Sequence, residues 1–513
     1  MAKINQQEIK ALNHEFDQYA DGAEFLDPLH PNAIDLDLFG PYSFFQYSNR
    51  TSTVLGAKAL AEYLSNSTDQ ETIINRQEAI LELQSELDWR QHFLAYGRRT
   101  EDSQRQIDLL HQWVDQAYFI LPNSRLKNII RILPFLTTLG FGYLLSLQLF
   151  GPSLLALVPA FLVLRKYVLR INTVHQQTTH AEKALNHYGQ LIQHIEQQPF
   201  QSALLQNTQA NFEPQASQAI RELSYIISQL NARYNAFVLL FNIFGLWDLQ
   251  WVWRLEKWKE KYKTPLPHWF EALGQFEVLS SLATVGYNNP DWTFPEITAE
   301  GAITAQQLGH PLLHQDKRIA NDVALPTQGH IKLLTGSNMA GKSTFLRTVG
   351  LNIVLAMCGA PICAREMKLP LLQVYSSMRT QDALQESTSS FYAELKRLKV
   401  IIEAVEQEDN IFFLLDEILK GTNSKDRHTG SKALIKQLIQ QGGGGVIATH
   451  DLELGILESQ YGGAIENWCM EVQIENGQLH FDYLLKKGVS QSFNATLLMQ
   501  NMGIKIDQSI DSL

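Results

Sequence analysis

Apolar residues recur three and four positions apart through much of the first 290 residues, as in Leu55-Gly56-Ala57-Lys58-Ala59-Leu60-Ala61-Glu62-Tyr63-Leu64 and Ile80-Leu81-Glu82-Leu83. That period gives an α-helix one apolar face, and no strand-like alternation competes with it from about residue 10 to 128 or from about 175 to 270. Near residue 295 the pattern changes. Continuous apolar runs such as Ile331-Lys332-Leu333-Leu334-Thr335, Ile411-Phe412-Phe413-Leu414-Leu415 and Val446-Ile447-Ala448-Thr449 now alternate with glycine-rich turns and helical stretches. Runs of this kind are strands buried on both faces, so the C-terminal part is expected to be an α/β domain around a mainly parallel sheet. Gly442 to Gly445 reads as a brief flexible turn before a strand.

One segment fits neither pattern. From Ile132 to Leu164 there are 33 positions without a charged residue or histidine, interrupted by Gly151-Pro152. One spanning helix needs roughly 20 apolar residues and a pair needs about 40, so the length is intermediate. Arg125, Lys127 and Arg131 precede the segment and Arg165, Lys166 and Arg170 follow it, a distribution that keeps both ends on the cytoplasmic side. The expectation is a short membrane hairpin turning at Gly151-Pro152, wholly or partly across the bilayer; a buried helical hairpin in a soluble core is the alternative. A second apolar stretch, Asn235 to Trp247, is too short to span and reads as core or interfacial. After it, Trp251, Trp253, Trp258 and Tyr262 interleave with Arg254, Lys257, Lys259, Lys261 and Lys263. That mixture suits a membrane interface or a phosphate backbone, while Glu256 three positions before Lys259 equally suits a solvated amphipathic helix with internal ion pairs.

The net charge of −11 argues against a chain that coats nucleic acid by bulk electrostatics, so any DNA contact must be local. Three cysteines, Cys358, Cys363 and Cys469, lack the His and carboxylate neighbours of a zinc site and read as buried thiols. The polar N-terminus lacks the apolar core of a secretory signal, so the C-terminal chemistry is expected in the cytoplasm.

That chemistry begins where the run Ile331–Thr335 meets Gly336-Ser337-Asn338-Met339-Ala340-Gly341-Lys342-Ser343-Thr344, with a helical pattern from Phe345. Strand, glycine loop and helix in this order form a phosphate cradle. Backbone N–H groups curl around phosphate oxygens, Lys342 neutralises the β/γ charge, and Ser343 ligates Mg²⁺. The run Ile411–Leu415 ends in Asp416-Glu417, a carboxylate pair aimed at the same end of the sheet: Asp416 to hold the metal, Glu417 to polarise the attacking water. His450, after the next strand, is a candidate sensor of the γ-phosphate.

Together, Thr335 to Thr344, Asp416-Glu417 and Thr449-His450-Asp451 resemble the MutS mismatch-repair ATPases, relatives of the ABC ATPases. Gly309-His310-Pro311 and Asn321-Asp322 look like the entry to that family's ATPase domain, which implies Asn321 near the nucleotide base. Ser389-Ser390-Phe391-Tyr392-Ala393-Glu394 is similar to the signature that reaches the γ-phosphate of a partner subunit, and Gly421-Thr422-Asn423-Ser424 to the loop after the acidic pair. Leu38-Phe39-Gly40, Asn49 through Gly56, Asn75-Arg76 and Phe276 through Ala283 look like the helical core and its return. On this resemblance the sequence is expected to start at the core domain, without counterparts of the mismatch-reading and connector domains, and the apolar segment falls where the family has helices leading toward DNA.

The resemblance implies an α plus α/β architecture. Residues 1–128 would be the first part of a helical core, 129–170 the apolar hairpin, 171–294 a helical lever and return, and 295–513 the P-loop ATPase domain with a C-terminal dimerisation segment. It further implies ATP and Mg²⁺ as cofactors, a homodimer, duplex or branched DNA as a partner, and ATP-driven closure. The apolar hairpin adds the alternative of a mechanical ATPase attached to the inner face of a membrane, acting on a protein partner or on the membrane itself.

Overall fold

The computed structural model describes residues 1–98, 102–337, 339–379, 390–407, 410–475 and 478–490. Its Cα framework divides into two compact units, one comprising Met1, Arg50–Ala59 and Glu86–Val278, the other Ala2–Asn49, Leu60–Ser85 and Leu279–Leu513.

The first unit is helical. Helices Glu182–Glu196 and Ala216–Asn231 each bury an apolar stripe that includes Leu185, Ile192, Ile220, Leu223 and Ile227. Helix Trp247–Tyr262 corrects the reading of a solvated or phosphate-facing helix, because Trp251, Trp258, Glu256 and Lys259 are all buried. The Glu256 carboxylate accepts from the backbone N–H groups of Phe119, Ile120 and Leu121, and the Lys259 ammonium donates to the carbonyls of Trp113 and Gln116 at 2.8 and 2.6 Å. Both charges satisfy the orphaned backbone of the turn between helices Gln104–Asp115 and Ser124–Ser146. Elsewhere in this unit Glu277 is fully buried. It accepts from the Ser52 amide at 2.7 Å and from the Ser52 and Thr53 hydroxyls, and a Cβ on Gly56 would collide with it. Two segments distant in sequence, one around Ser52 and one around Glu277, therefore meet at one carboxyl group.

The apolar segment forms helix Ser124–Ser146, short helix Phe150–Leu155 and helix Val158–Thr178. The chain does not reverse at Gly151-Pro152, which lie inside the short helix, where proline occupies an early position that needs no amide donor. It reverses at Leu147–Leu149, where Gln148 takes a left-handed φ of 61°. Nor is the segment buried: helix Ser124–Ser146 is long and apolar enough to cross a membrane, and only 11% of its most apolar stretch is covered by protein. Helix Ala236–Gly245 buries none of its residues either.

In the second unit residues 13–43 depart from the expected helices, forming turns around one 3₁₀ turn, Ala23–Phe25; Gly22, Pro28, Pro31, Gly40 and Pro41 punctuate this stretch. Beyond residue 295 run β1 (Glu296–Ile297), β2 (Ala302–Leu308), β3 (Asn321–Pro326), β4 (Ile331–Thr335), β5 (Glu366–Leu369), β6 (Gln373–Ser377), β7 (Ile411–Asp416), β8 (Gly444–Thr449), β9 (Ile465–Glu475) and β10 (Gln478–Lys487). They form a six-stranded sheet in the order β10-β9-β4-β8-β7-β6 and a four-stranded sheet in the order β1-β5-β2-β3. The sheets are mixed. Pairings from β9 through β6 are parallel and β10 is antiparallel, whereas in the smaller sheet only β1–β5 is parallel. The expected mainly parallel sheet thus describes one sheet and not the domain.

Alternation along β7 decides what faces what. Ile411, Phe413 and Leu415 join a core with Leu398, Ile401, Leu434 and Leu438 from helices Ser390–Gln407 and Ser424–Gln440. Leu414 instead points at Gly350 of helix Lys342–Cys358, where an added Cβ would lie 2.7 Å from its methyl group. Asp416 continues that second face. Gly444 and Gly445 belong to β8 and not to a flexible turn; a Cβ there would collide with the Thr327 and Phe413 carbonyls, so strand contact itself demands glycine.

Candidate functional site

β4 ends at Thr335, and the chain turns through a loop whose glycines are required by contact. A Cβ at Gly336 would approach the Met470 carbonyl to 2.6 Å. Gly341 has a left-handed φ of 99°, and a Cβ there would meet the Tyr483 ring at 2.8 Å. Met339 shares the left-handed region at φ 75° and is exposed, Ala340 is buried, and Thr344 sits exposed in the first turn of the following helix. Lys342 is buried, and its ammonium donates back to the carbonyls of Gly336 and Ser337 at 2.7 and 3.0 Å. Burial pushes its pKa down, partly opposed by the nearby carboxylates of Glu417 and Asp416.

The Ser343 hydroxyl donates to Asp416 Oδ2 at 2.5 Å, as the alternation along β7 requires. Asp416 Oδ1 is buried with no hydrogen-bond partner, and burial pushes this carboxyl above the ordinary range despite the Ser343 contact. A desolvated carboxylate oxygen beside a serine hydroxyl, within reach of a phosphate-shaped loop, is a donor set of hard oxygens that fits Mg²⁺. The residues present therefore fit a magnesium-bound nucleotide phosphate.

Glu417 follows in a left-handed turn, φ 51°, fixed by its amide donating to the Ala448 carbonyl at 2.9 Å. Its carboxylate lies between two basic groups, His450 Nδ1 at 3.6 Å and Lys420 Nζ at 3.6 Å. Asp451, beside His450, caps the following 3₁₀ turn and accepts a 2.7 Å contact from His428. Leu419 is left-handed as well, and its amide donates to Glu394 of helix Ser390–Gln407. The helix that follows the signature segment is thereby bonded to the turn that carries Glu417.

Lys342, Ser343, Asp416, Glu417 and His450 thus converge at the end of the six-stranded sheet. The Asn321 side-chain amide accepts from Leu485 N at 2.8 Å and donates to the Tyr483 carbonyl at 3.1 Å, holding β10 and the aromatic that lies on Gly341. Asn338 and Ser389 lie outside the described residues, and Ser390 opens its helix. Sequence reasoning gave no role to Lys420 or Tyr483, and placed Glu394 only as the last residue of the signature segment. Lys420, three positions past Glu417, carried a faint spacing signal; Tyr483 carried none. Beside Asp416 lies a cavity of about 680 Å³ lined in part by Asp35, Arg379, Glu394, Arg397 and Lys420. All three cysteines are buried and free, as expected.

Comparison with known proteins bears on the C-terminal part of the chain. Residues 332–505 match the model of MutS domain V. The C-terminal part of the chain is thus similar to the MutS family. It is 30% identical over 220 residues to the DNA mismatch repair protein MutS of Aquifex pyrophilus, a match covering 42% of this chain and 25% of that protein. It is 31% identical over 225 residues to the protein of the same name from Pseudothermotoga lettingae, covering 43% and 27%. The Thermotoga petrophila protein is 29% identical over 238 residues, covering 45% and 29%. The chain thus matches between a quarter and a third of the length of these MutS relatives, and the matched part is the one that carries the loop and the acidic pair.

Proposed function

We propose that this chain binds and hydrolyses ATP with Mg²⁺ and uses the cycle to close and reopen a homodimer. One observation carries the reading: the Ser343–Asp416 pair, with a buried unpartnered carboxylate oxygen, stands beside a glycine loop whose lysine is desolvated. Bound Mg²⁺ and triphosphate supply the electrophilic γ-phosphorus and the charge that both groups lack. The backbone from Gly336 to Thr344 cradles the phosphates, and Lys342 exchanges its loop carbonyls for phosphate oxygens. Ser343 and Asp416 would hold the metal. Glu417 takes the proton of the attacking water, oriented between His450 and Lys420, and His450 faces the γ-phosphate. The Ser389-Ser390 segment of a second copy completes the site, and the Glu394–Leu419 bond relays its arrival to Glu417. The mechanical output of this reading is a role in DNA repair, on duplex or branched DNA; the relatives are named DNA mismatch repair proteins.

Lys342→Ala is expected to abolish nucleotide binding, whereas Glu417→Ala keeps binding and stalls turnover; wild-type turnover in the latter refutes the base assignment. DNA binding, measured from low to moderate salt, should fall steeply because phosphate contacts release counterions, and salt-independent retention argues against a DNA role.

A second reading is favoured by the exposed apolar helices of the helical unit: an ATPase attached to the inner face of a membrane and working on a protein partner or the bilayer. Recovery of the full chain in the soluble fraction without detergent counts against it.

A further inference from the structure

Helix Ala236–Gly245, which the sequence reading left as core or interface, packs on the apolar hairpin. The Thr137 hydroxyl donates to the Phe244 carbonyl at 2.9 Å, and the rings of Phe141 and Phe244 meet edge to face at 5.0 Å. This helix does not continue the buried helix Trp247–Tyr262; the two are bent by 79° at Leu246, a non-glycine residue with φ 53°. The bend turns its apolar side outward, with Phe237, Leu239, Leu240 and Phe241 each at least half exposed. They join Phe135, Leu136 and Leu139 of helix Ser124–Ser146 and Phe150, Leu154 and Leu155 of the short helix, all more than half exposed. An apolar surface of this extent, built by three packed helix segments plus the start of Val158–Thr178, exceeds what a water-facing protein normally shows.

Its dimensions and charges say what covers it. Helix Ser124–Ser146 runs uncharged from Ile132 to its end, which at 1.5 Å per residue is about 22 Å. The return path from Phe150 is uncharged to Leu164 and folds back on the outgoing helix, since a Cβ on Gly140 would lie 3.8 Å from the Ala156 methyl group. Arg131 and Arg165, equally far along the two arms, therefore belong to the base of a finger shorter than the roughly 30 Å of hydrocarbon that a spanning element must cross. At that base Arg131 and Lys257 both lie over the Trp253 ring, 4.9 and 4.3 Å from its centre, the pairing of cation and indole that suits a headgroup layer. From Gln116 to Ala181 there is no acidic residue at all and six are basic, in a chain whose net charge is −11. The local charge is complementary to an anionic surface.

We infer that these helices form a monotopic membrane finger: an apolar tip, including Ala236–Gly245, that dips into one face of a bilayer containing anionic lipid without crossing it. The inference rests on the second reading above and sharpens it. Three helix segments build the tip, so most of its backbone polar groups are satisfied within helices, and its exposed side chains are mostly apolar, with Thr138, Ser146 and Gln148 the polar exceptions on the outgoing helix and its reversal.

Full-length protein is mixed with phosphatidylcholine vesicles, or with vesicles containing one third phosphatidylglycerol, and floated on a density gradient. Wild type is expected to float with the anionic vesicles and about tenfold less with the neutral ones. The double substitution Leu240→Asp and Phe241→Asp should lower partitioning at least about tenfold while leaving ATP turnover unchanged, which shows that the chain still folds. A Phe150→Cys variant bound to the outside of sealed anionic vesicles should resist a membrane-impermeant maleimide supplied on either side. Wild type that stays at the bottom of both gradients, including as a self-associated species, overturns the membrane reading altogether. Flotation that survives the double substitution, or labelling of the introduced thiol by maleimide trapped inside the vesicles, leaves attachment standing and overturns the monotopic three-helix finger.

Discussion

Asp416→Asn separates the cost of burying this carboxylate from the benefit of its proposed metal-holding role. Asp416 is buried, one oxygen accepts from Ser343, and the other has no partner. An unsatisfied buried polar group costs about 1–3 kcal/mol, more when charged. Asparagine keeps an acceptor for Ser343 and removes the charge, so the nucleotide-free variant should be more stable than wild type by about 1–2 kcal/mol, roughly 2–4 °C in melting temperature for each kcal/mol in a unit this large. The sign follows from titration too. Burial raises the folded-state pKa above 3.8, so the unfolded chain ionises first, and wild-type stability falls as pH rises from that value through the raised one. Above the raised value the whole penalty is present. With Mg-ATP at a hundred times its dissociation constant, wild type gains about 2.7 kcal/mol and the variant, lacking a metal ligand, gains little. Thermal melts followed by fluorescence, with and without Mg-ATP, should therefore show the two proteins exchanging rank. A variant that melts no higher than wild type alone, and rises as much with nucleotide, refutes the assignment of Asp416.

Gly341→Ala combines a left-handed backbone with a ring 2.8 Å away, so it should abolish ATP binding measured by titration calorimetry, and Tyr483→Ala added to it should not restore affinity because the φ of 99° remains. Glu277 has its pKa raised to about 7 by burial. Its contribution to stability is full below about 4.5 and lost as pH rises through about 7, amounting to about 3 kcal/mol, and Glu277→Gln should flatten denaturant-unfolding free energies across that window. Lys259→Met leaves the carbonyls of Trp113 and Gln116 unpaired and should destabilise the helical unit by about 2–4 kcal/mol in urea unfolding.

The strands that position the site were legible because burial on both faces leaves a continuous apolar run, and the order of strand, glycine loop and helix restricts Lys342 and Ser343 to one location. Asp416 followed from its place at a strand end. What periodicity could not deliver was partnership across the sequence. Nothing in Trp247–Tyr262 distinguishes a solvated ion pair from Glu256 and Lys259 each bonded to backbone more than a hundred positions away. Gly444 and Gly445 resemble a turn until the Phe413 and Thr327 carbonyls are seen to leave no room for a methyl group. The second sheet escaped notice because β1 and β5 are two and four residues long. The hairpin's reversal at Gln148 was hidden behind the stronger Gly151-Pro152 signal, although proline is at home in the first turn of a helix.

The single bond from the Leu419 amide to Glu394 has a consequence for timing. Leu419 and Glu417 both hold a backbone shape that side chains other than glycine adopt reluctantly, and the other oxygen of Glu394 is buried without a partner. A small rotation of the helix that begins at Ser390 would therefore let the intervening residues relax and swing Glu417 out of line. Under the proposed cycle, turnover is thus gated by the posture of one helix, so that a subunit standing alone idles and a correctly docked neighbour sets the clock.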